Sequence, residues 1–176
     1  VIKIGGAEAI TDMFEAQHIG VTGLIAPMIE SPYAMTKYLE AIQKHFSEDL
    51  KKSIHFGVNI ETYQGYKNLP EILKTKLIKL VDTITLGRVD MTGSLGLGRN
   101  NINDNQVYEI AEDIFTQAKN KGMRTTMGGG IAIEAIPFIK KLASKKLLDR
   151  FETRKIVFNI PRNFTSAEKG IVKANM

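Results

Sequence analysis

The runs His55-Phe56-Gly57-Val58-Asn59-Ile60-Glu61-Thr62 and Thr83-Ile84-Thr85-Leu86-Gly87-Arg88-Val89-Asp90 decide how this chain folds. Each is a short stretch of β-branched and apolar residues that closes on an acid, and a helix beginning near Pro70 separates them. Strand, helix and strand in this order make a right-handed crossover and a parallel pair, so both strand ends face one rim. In a barrel of such units the strand ends converge, and oxygen ligands from different strands can meet a hard cation there without being adjacent in sequence. Glu61 and Asp90 are therefore candidate ligands for a divalent metal.

The same alternation extends in both directions. Val1 to Ile4 reads as a strand ending at Gly5-Gly6. Residues 7–18 place Ile10, Met13, Phe14 and Gln17 on one helical face, stopped by Gly20. Leu24 to Ile29 is the next apolar run, and Ser31-Pro32 caps a helix that reaches Phe46. Beyond Gly87, residues 88–103 form a loop longer than βα connections usually are, which marks a functional segment. A helix over 104–121 carries Val107, Ile110, Ala111, Ile114 and Phe115 on one side. A fifth strand covers 124–127, followed by Gly128-Gly129-Gly130; a helix covers 133–143, and a sixth strand covers 155–158.

The fold class expected is α/β, of the (β/α)8 TIM-barrel type but incomplete, with about six βα units in one domain over 1–176. A closed barrel takes about 250 residues. Either the sheet is open or the first strands lie upstream, and a start at Val1 directly on a strand predicts that the amino terminus is not the natural one.

Composition narrows the function classes. A hydrophobic fraction of 43% with 24% charged residues describes a globular chain, and no apolar run nears the roughly 20 residues of a membrane span. The net charge of +5 is spread as pairs such as Lys51-Lys52 and Lys140-Lys141 on helix faces, without the basic stripe a nucleic-acid surface needs. The expected partners are anionic small molecules, drawn by the field at a cleft, and neither nucleic acid nor membrane. With no cysteine there is no disulfide, thiolate ligand or thiol chemistry, which is compatible with a cytoplasmic home.

Four acids stand at run ends: Glu30, Glu61, Asp90 and Glu152. Each alone could simply favour the start of the next helix. Together on one rim they would repel unless a cation, or Arg88, Arg150 and Arg154, compensates. A set without His or Cys suits Mg2+ or Mn2+ better than a structural zinc. The spacing of Gly93, Gly96 and Gly98 matches no nucleotide-binding loop. Gly128 to Gly130 could present amides to an anion or form a tight turn over a crowded rim, and both readings stay open. His18, His45 and His55 pair with no Ser or Asp as a triad, and His55 opens its strand on the rim opposite the carboxylates.

The order Lys-Ile-Gly-Gly (3–6), Ile-Ala-Pro-Met-Ile-Glu-Ser (25–31), Asn-Ile-Glu-Thr (59–62) and Gly-Arg-Val-Asp-Met-Thr-Gly-Ser-Leu-Gly (87–96) resembles the aldolase and citrate lyase β-subunit (HpcH/HpaI) family of pyruvate-type barrels. The likeness runs from Val1 to about Phe158. It implies a metal-dependent carbon–carbon lyase in which Glu61 and Asp90 hold the cation and Asn59 bonds the substrate. It further implies that amides around Val89 and Asp90 hold the substrate carboxylate, with Thr92 and Ser94 of the same segment as further substrate contacts. The family's early substrate-binding Arg falls nearest Lys3, which keeps the charge and loses the bidentate fork. Arg88 is expected as an electrostatic partner, and Glu30 and Glu152 as acid/base or supporting carboxylates. The resemblance also implies that the first two βα units, and with them a catalytic His, are absent from this chain. The substrate class is a small keto or hydroxy-carboxylic acid, and a homo-oligomer is expected. The alternatives are a citrate lyase-branch enzyme acting on an acyl-CoA thioester, a non-catalytic barrel fragment binding an anionic metabolite or a partner, and a phosphate-binding isomerase barrel.

Overall fold

A computed structural model describes residues 1–160 and 164–176. Seven strands form one curled sheet in the order β1 to β7, each beside its neighbour in sequence. They are β1 (Ile2–Lys3), β2 (Gly23–Ala26), β3 (His55–Asn59), β4 (Thr83–Gly87), β5 (Arg124–Gly128), β6 (Arg150–Glu152) and β7 (Val157–Asn159). Pairing is parallel from β1 through β6, with Asn59 beside Thr85 and Gly87 beside Gly128. Helices α1 (Ile10–His18), α2 (Pro32–His45), α3 (Glu48–Ser53), α4 (Tyr63–Ile72), α5 (Arg88–Ser94), α6 (Asn105–Asn120), α7 (Ile136–Ser144) and α8 (Phe164–Asn175) accompany the sheet. The sheet curls into a half-barrel, as expected of an incomplete (β/α)8 fold. No helix among the described residues is long and apolar enough to cross a membrane.

The core follows strand alternation. Phe56 and Val58 on β3, and Ile84 and Leu86 on β4, are buried under the helices. Gly57, Asn59, Thr83 and Thr85, one step out of phase, belong to the concave face. Tyr38 of α2 reaches into the core and donates its hydroxyl to Leu24 O at 3.0 Å. Burial of that phenol pushes its pKa upward.

Several sequence expectations need correction. α4 begins at Tyr63, capped by Thr62, whose hydroxyl accepts from Gly65 N at 3.1 Å; Pro70 sits near its end instead of opening it. Its missing N–H removes the donor that the Tyr66 carbonyl would otherwise take, and the helix ends two residues later. Residues 88–103 contain α5 and a short 3-10 turn at Arg99–Asn101. Phe14 does not face the core: it is exposed and meets the His45 ring edge-on at 5.3 Å, while Met13 and Ala16 take the buried positions. The largest difference is at the end of the sheet. Arg-Phe-Glu at 150–152 is a strand, and the expected sixth strand is a seventh that returns antiparallel, pairing Phe151 with Phe158 and Glu152 with Val157. The two phenylalanine rings stack at 5.0 Å.

An ion pair fastens β6 to its neighbours. Lys119 Nζ donates to Asp149 Oδ1 at 2.6 Å and Thr125 N donates to Asp149 Oδ2 at 2.8 Å. Burial pushes the Asp149 carboxyl up, but the bonds from Lys119 and Thr125 outweigh it and hold it below the ordinary range. A depressed carboxylate stabilises the fold above its unfolded pKa of about 3.9, and that contribution fades as pH falls through the lower folded value. Partial exposure limits it to on the order of 1 kcal/mol. Urea unfolding as a function of pH should show this loss in the wild-type chain and a flatter acid limb in Asp149→Asn; identical limbs would refute it.

Candidate active site

The strand ends of β3 and β4 carry the two acids to one rim. Glu61 follows β3 and is only 2% exposed. Its Oε1 accepts from Met28 N at 3.1 Å and its Oε2 from Asn59 Nδ2 at 3.0 Å. Met28 makes its bond from a left-handed backbone, φ 48°. Burial pushes the Glu61 carboxyl above the usual range; Lys3 and the Asn59 bond pull against this, and the charge of Asp90 adds to it. Asp90, in the first turn of α5, is exposed and close enough for its charge to act on Glu61.

Glycines make the room for these carboxylates. A Cβ on Gly87 would overlap Glu61 Oε2, and one on Gly128 would lie 3.1 Å from Glu152 Oε1. Glu152 is half-buried on β6, its carboxyl raised by burial and by Glu61 and lowered by Lys3. Lys3 on β1 thus lies within electrostatic reach of both glutamates. Asn59 turns its amide nitrogen to Glu61, as an ionised neighbour requires, which leaves its buried Oδ1 without a partner at the cavity wall.

These groups line one open cavity of about 1350 Å³, together with Val89, Asp90 and the Gly128–Gly130 turn. A smaller cavity of about 320 Å³ adjoins it and includes His55 and Arg150. His55 bonds Asp82 Oδ2 through Nδ1 at 2.8 Å, consistent with a structural role on the opposite rim.

Other expected site residues stand elsewhere. Glu30 is exposed and does not line either cavity, because its backbone carbonyl, accepting from Asn68 Nδ2 at 2.7 Å, fixes the chain just where it turns into α2. Thr92 is buried and donates its hydroxyl to Val89 O at 2.8 Å. Ser94 Oγ accepts from Tyr63 N at 2.8 Å and donates to Met91 O at 2.8 Å, tying α4 to α5. Neither residue lines the cavity; both hydroxyls are taken up by backbone partners, Thr92 in the buried interior and Ser94 at the surface.

Arg88 is wholly buried beneath the rim. It donates through Nη1 to Asn103 Oδ1 at 2.5 Å and through Nη2 to Gly129 O at 2.9 Å and Gly130 O at 3.1 Å, and its guanidinium lies 5.0 Å from the centre of the Phe138 ring. Burial draws its pKa down to about 10, still cationic at neutral pH. The turn reading of the glycines gains from this. Gly129 and Gly130 have φ of 78° and 63°, and a Cβ on Gly129 would lie 2.7 Å from the amide nitrogens of Arg88 and Val89.

Among the described residues, no three His, Cys, Asp or Glu side chains form a metal cluster. A hard cation of the magnesium type needs only one or two carboxylates, with water and substrate oxygens completing its shell. Glu61 with Asp90, beside the orphaned Asn59 Oδ1, fits that requirement.

A protein-family model, HpcH/HpaI aldolase/citrate lyase, matches residues 4–128, which include both acids and strands β2 through β5. The chain belongs to the HpcH/HpaI aldolase/citrate lyase family. Membership makes a lyase-type enzyme the general expectation, and family members generally depend on a divalent metal. Solved structures with the same fold include an HpcH/HpaI aldolase/citrate lyase family protein from Burkholderia cenocepacia J2315, 17% identical, covering 79% of this chain and 62% of that one at a TM-score of 0.64. An HpcH/HpaI aldolase from Desulfitobacterium hafniense DCB-2 is 15% identical, covering 85% of this chain and 62% of its own at 0.66. The citrate synthase SbnG, 15% identical, covers 98% of this chain and 69% of its own at 0.69. The chain thus spans less than two thirds of the first two relatives. No curated protein sequence matches it significantly.

Proposed function

We propose that the chain carries the metal and keto-acid half of a carbon–carbon lyase site, acting on a small keto or hydroxy-carboxylic acid. The observation that supports this most directly is Glu61: a carboxylate buried to 2% exposure, oriented by Met28 N and Asn59 Nδ2, with Asp90 from the adjacent strand end beside it. Two neutral hydrogen-bond donors do not balance a buried negative charge, whereas a divalent cation shared with Asp90 does.

Glu61 and Asp90 would hold Mg2+ or Mn2+. When bound, the cation supplies Lewis acidity that offsets the charge developing on the keto-acid fragment as the carbon–carbon bond breaks. The chain's own groups bind and orient. Asn59 Oδ1 accepts from a substrate hydroxyl, Lys3 attracts the carboxylate, and amides around Val89 and Asp90 hold it. No histidine lines the main cavity, so proton movement falls to carboxyls such as Glu152, whose raised pKa lets it hold a proton at Oε1 over Gly128 nearer neutrality than a free acid.

Calorimetric titration of Mg2+ and Mn2+ into the folded chain, with and without pyruvate, tests the reading. The expected result is cation binding that pyruvate tightens and reciprocally depends on. Absence of binding by the folded chain would exclude the metal-dependent lyase.

A further inference from the structure

Arg88 is a buried cation with no carboxylate beside it. Its side chain is wholly enclosed, its Nε has no partner, and among the described residues no Asp or Glu lies within ion-pairing distance of it. A buried charge ordinarily takes a counter-charge. Here four oxygens stand in for one: Asn103 Oδ1, Gly129 O and Gly130 O, with Ile102 O more distant at 3.4 Å. Every one of them belongs to an amide.

The other end of each amide is an N–H. No peptide bond among the described residues is cis, so the N–H lies opposite the C=O across each peptide plane. Gly129 O and Gly130 O both accept from Arg88 Nη2, which turns the N–H groups of Gly130 and Ile131 away from the guanidinium. The consecutive left-handed glycines allow two successive carbonyls to point the same way. Neither N–H has a described acceptor. Ile131 is only 4% exposed, and a backbone N–H at so buried a residue is seldom left unmatched. Asn103 repeats the arrangement in a side chain: its Oδ1 is held by Arg88 Nη1, and its Nδ2 has no described partner. Asn103, Gly130 and Ile131 all line the main cavity.

Arg88 therefore acts through the amides it grips. Hydrogen bonds in series polarise one another, and salt screens a buried charge far less than an exposed one. Arg99 and Glu134, the cavity-lining charges nearest these residues in sequence, are exposed and opposite in sign, so the uncancelled charge behind the wall is that of Arg88. N–H groups from two separate segments, directed off one positive centre, suit a tetrahedral oxyanion with several oxygens better than a flat carboxylate with two.

We propose that Asn103, Gly130 and Ile131 form a phosphate-binding site, with Arg88 as the fixed counter-charge behind it. The site is separate from the metal pair and does not depend on the lyase reading.

The test is calorimetric titration of inorganic phosphate into the metal-free chain at low salt, with amide chemical shifts followed in parallel. Saturable binding is expected, and the Gly130 and Ile131 amide protons should move downfield. Asn103→Asp is the deciding variant: it keeps the oxygen that Arg88 holds, supplies the missing carboxylate and removes the Nδ2 donor. Phosphate affinity should fall at least about tenfold, the loss expected when a hydrogen bond to a charged group goes, while urea unfolding shows no loss of stability. Arg99→Gln alters only an exposed cation and should leave affinity within about fivefold. Acetate should bind more weakly than phosphate. Methyl phosphate separates the two sources of the ligand: binding as tight as that of inorganic phosphate assigns the site to a phosphate ester, and its refusal assigns it to the free ion. No saturable binding, equal affinity for acetate, affinity unchanged in Asn103→Asp, or shifts confined to other amides would each overturn the site and leave the metal titration to be judged on its own.

Discussion

Glu61→Ala is expected to lower divalent-cation affinity by at least about 100-fold, or about 2.7 kcal/mol, since even residues that only support a metal ligand cost up to that much when removed. Asp90→Ala should do the same. The two variants should part company in stability. Asp90 is exposed, so its removal leaves the fold unchanged within about 0.5 kcal/mol. Glu61→Ala strips the acceptor from Met28 N and Asn59 Nδ2, at about 1 kcal/mol or more for each buried donor, while relieving the burial of a charge. Glu61→Gln is no gentler, because its amide nitrogen must face one of those two donors. Calorimetry for the cation and urea unfolding for the fold separate the two effects. Wild-type metal binding by Glu61→Ala would place the cation elsewhere.

Arg88→Met should cost about 3 kcal/mol of unfolding free energy and lower Tm by roughly 6–12 °C, for a chain of this length. Methionine fills much of the volume and removes the cost of burying a charge. Against that, Asn103 Oδ1 and the carbonyls of Gly129 and Gly130 lose their only described side-chain donor, and each buried orphan costs about 1 kcal/mol or more. The glycine turn also loses the tether that holds two consecutive residues at positive φ. Arg88→Lys keeps the charge but cannot span several acceptors with one ammonium, and should fall between. Thermal and urea unfolding measure both. A methionine variant as stable as the wild type would show that the clamp adds nothing.

What could be read from sequence divides along physical lines. The runs at 55–60 and 83–86 announce strands because several β-branched residues sit together, and the acids closing them are visible as soon as both are aligned on one rim. β6 is hidden because Arg-Phe-Glu offers one apolar residue and no period; its partners are supplied by Thr126 and Met127 of β5 and by the returning β7, which are distant or opposite in direction. Gly87 looked like a loop opener. Its use is visible only across the sheet, where the Glu61 carboxylate occupies the space a side chain would take. Arg88, expected from its neighbours in sequence as an electrostatic partner at the site, is turned under the rim, where four oxygen acceptors and an aromatic face surround its guanidinium. Thr62, a capping hydroxyl in plain view, was the better marker for the start of α4 than Pro70.

Because the strands pair in sequence order, no contact in the sheet joins distant parts of the chain in the way that ring closure of a full barrel demands. The entropy of loop closure is then met in small instalments, each spanning one crossover. Glu61 follows β3 and Asp90 stands in the first turn of α5 just after β4, 29 positions apart, so a single strand–helix–strand crossover brings them to one rim. The juxtaposition of the two candidate ligands is local to one crossover and asks nothing of the outer strands.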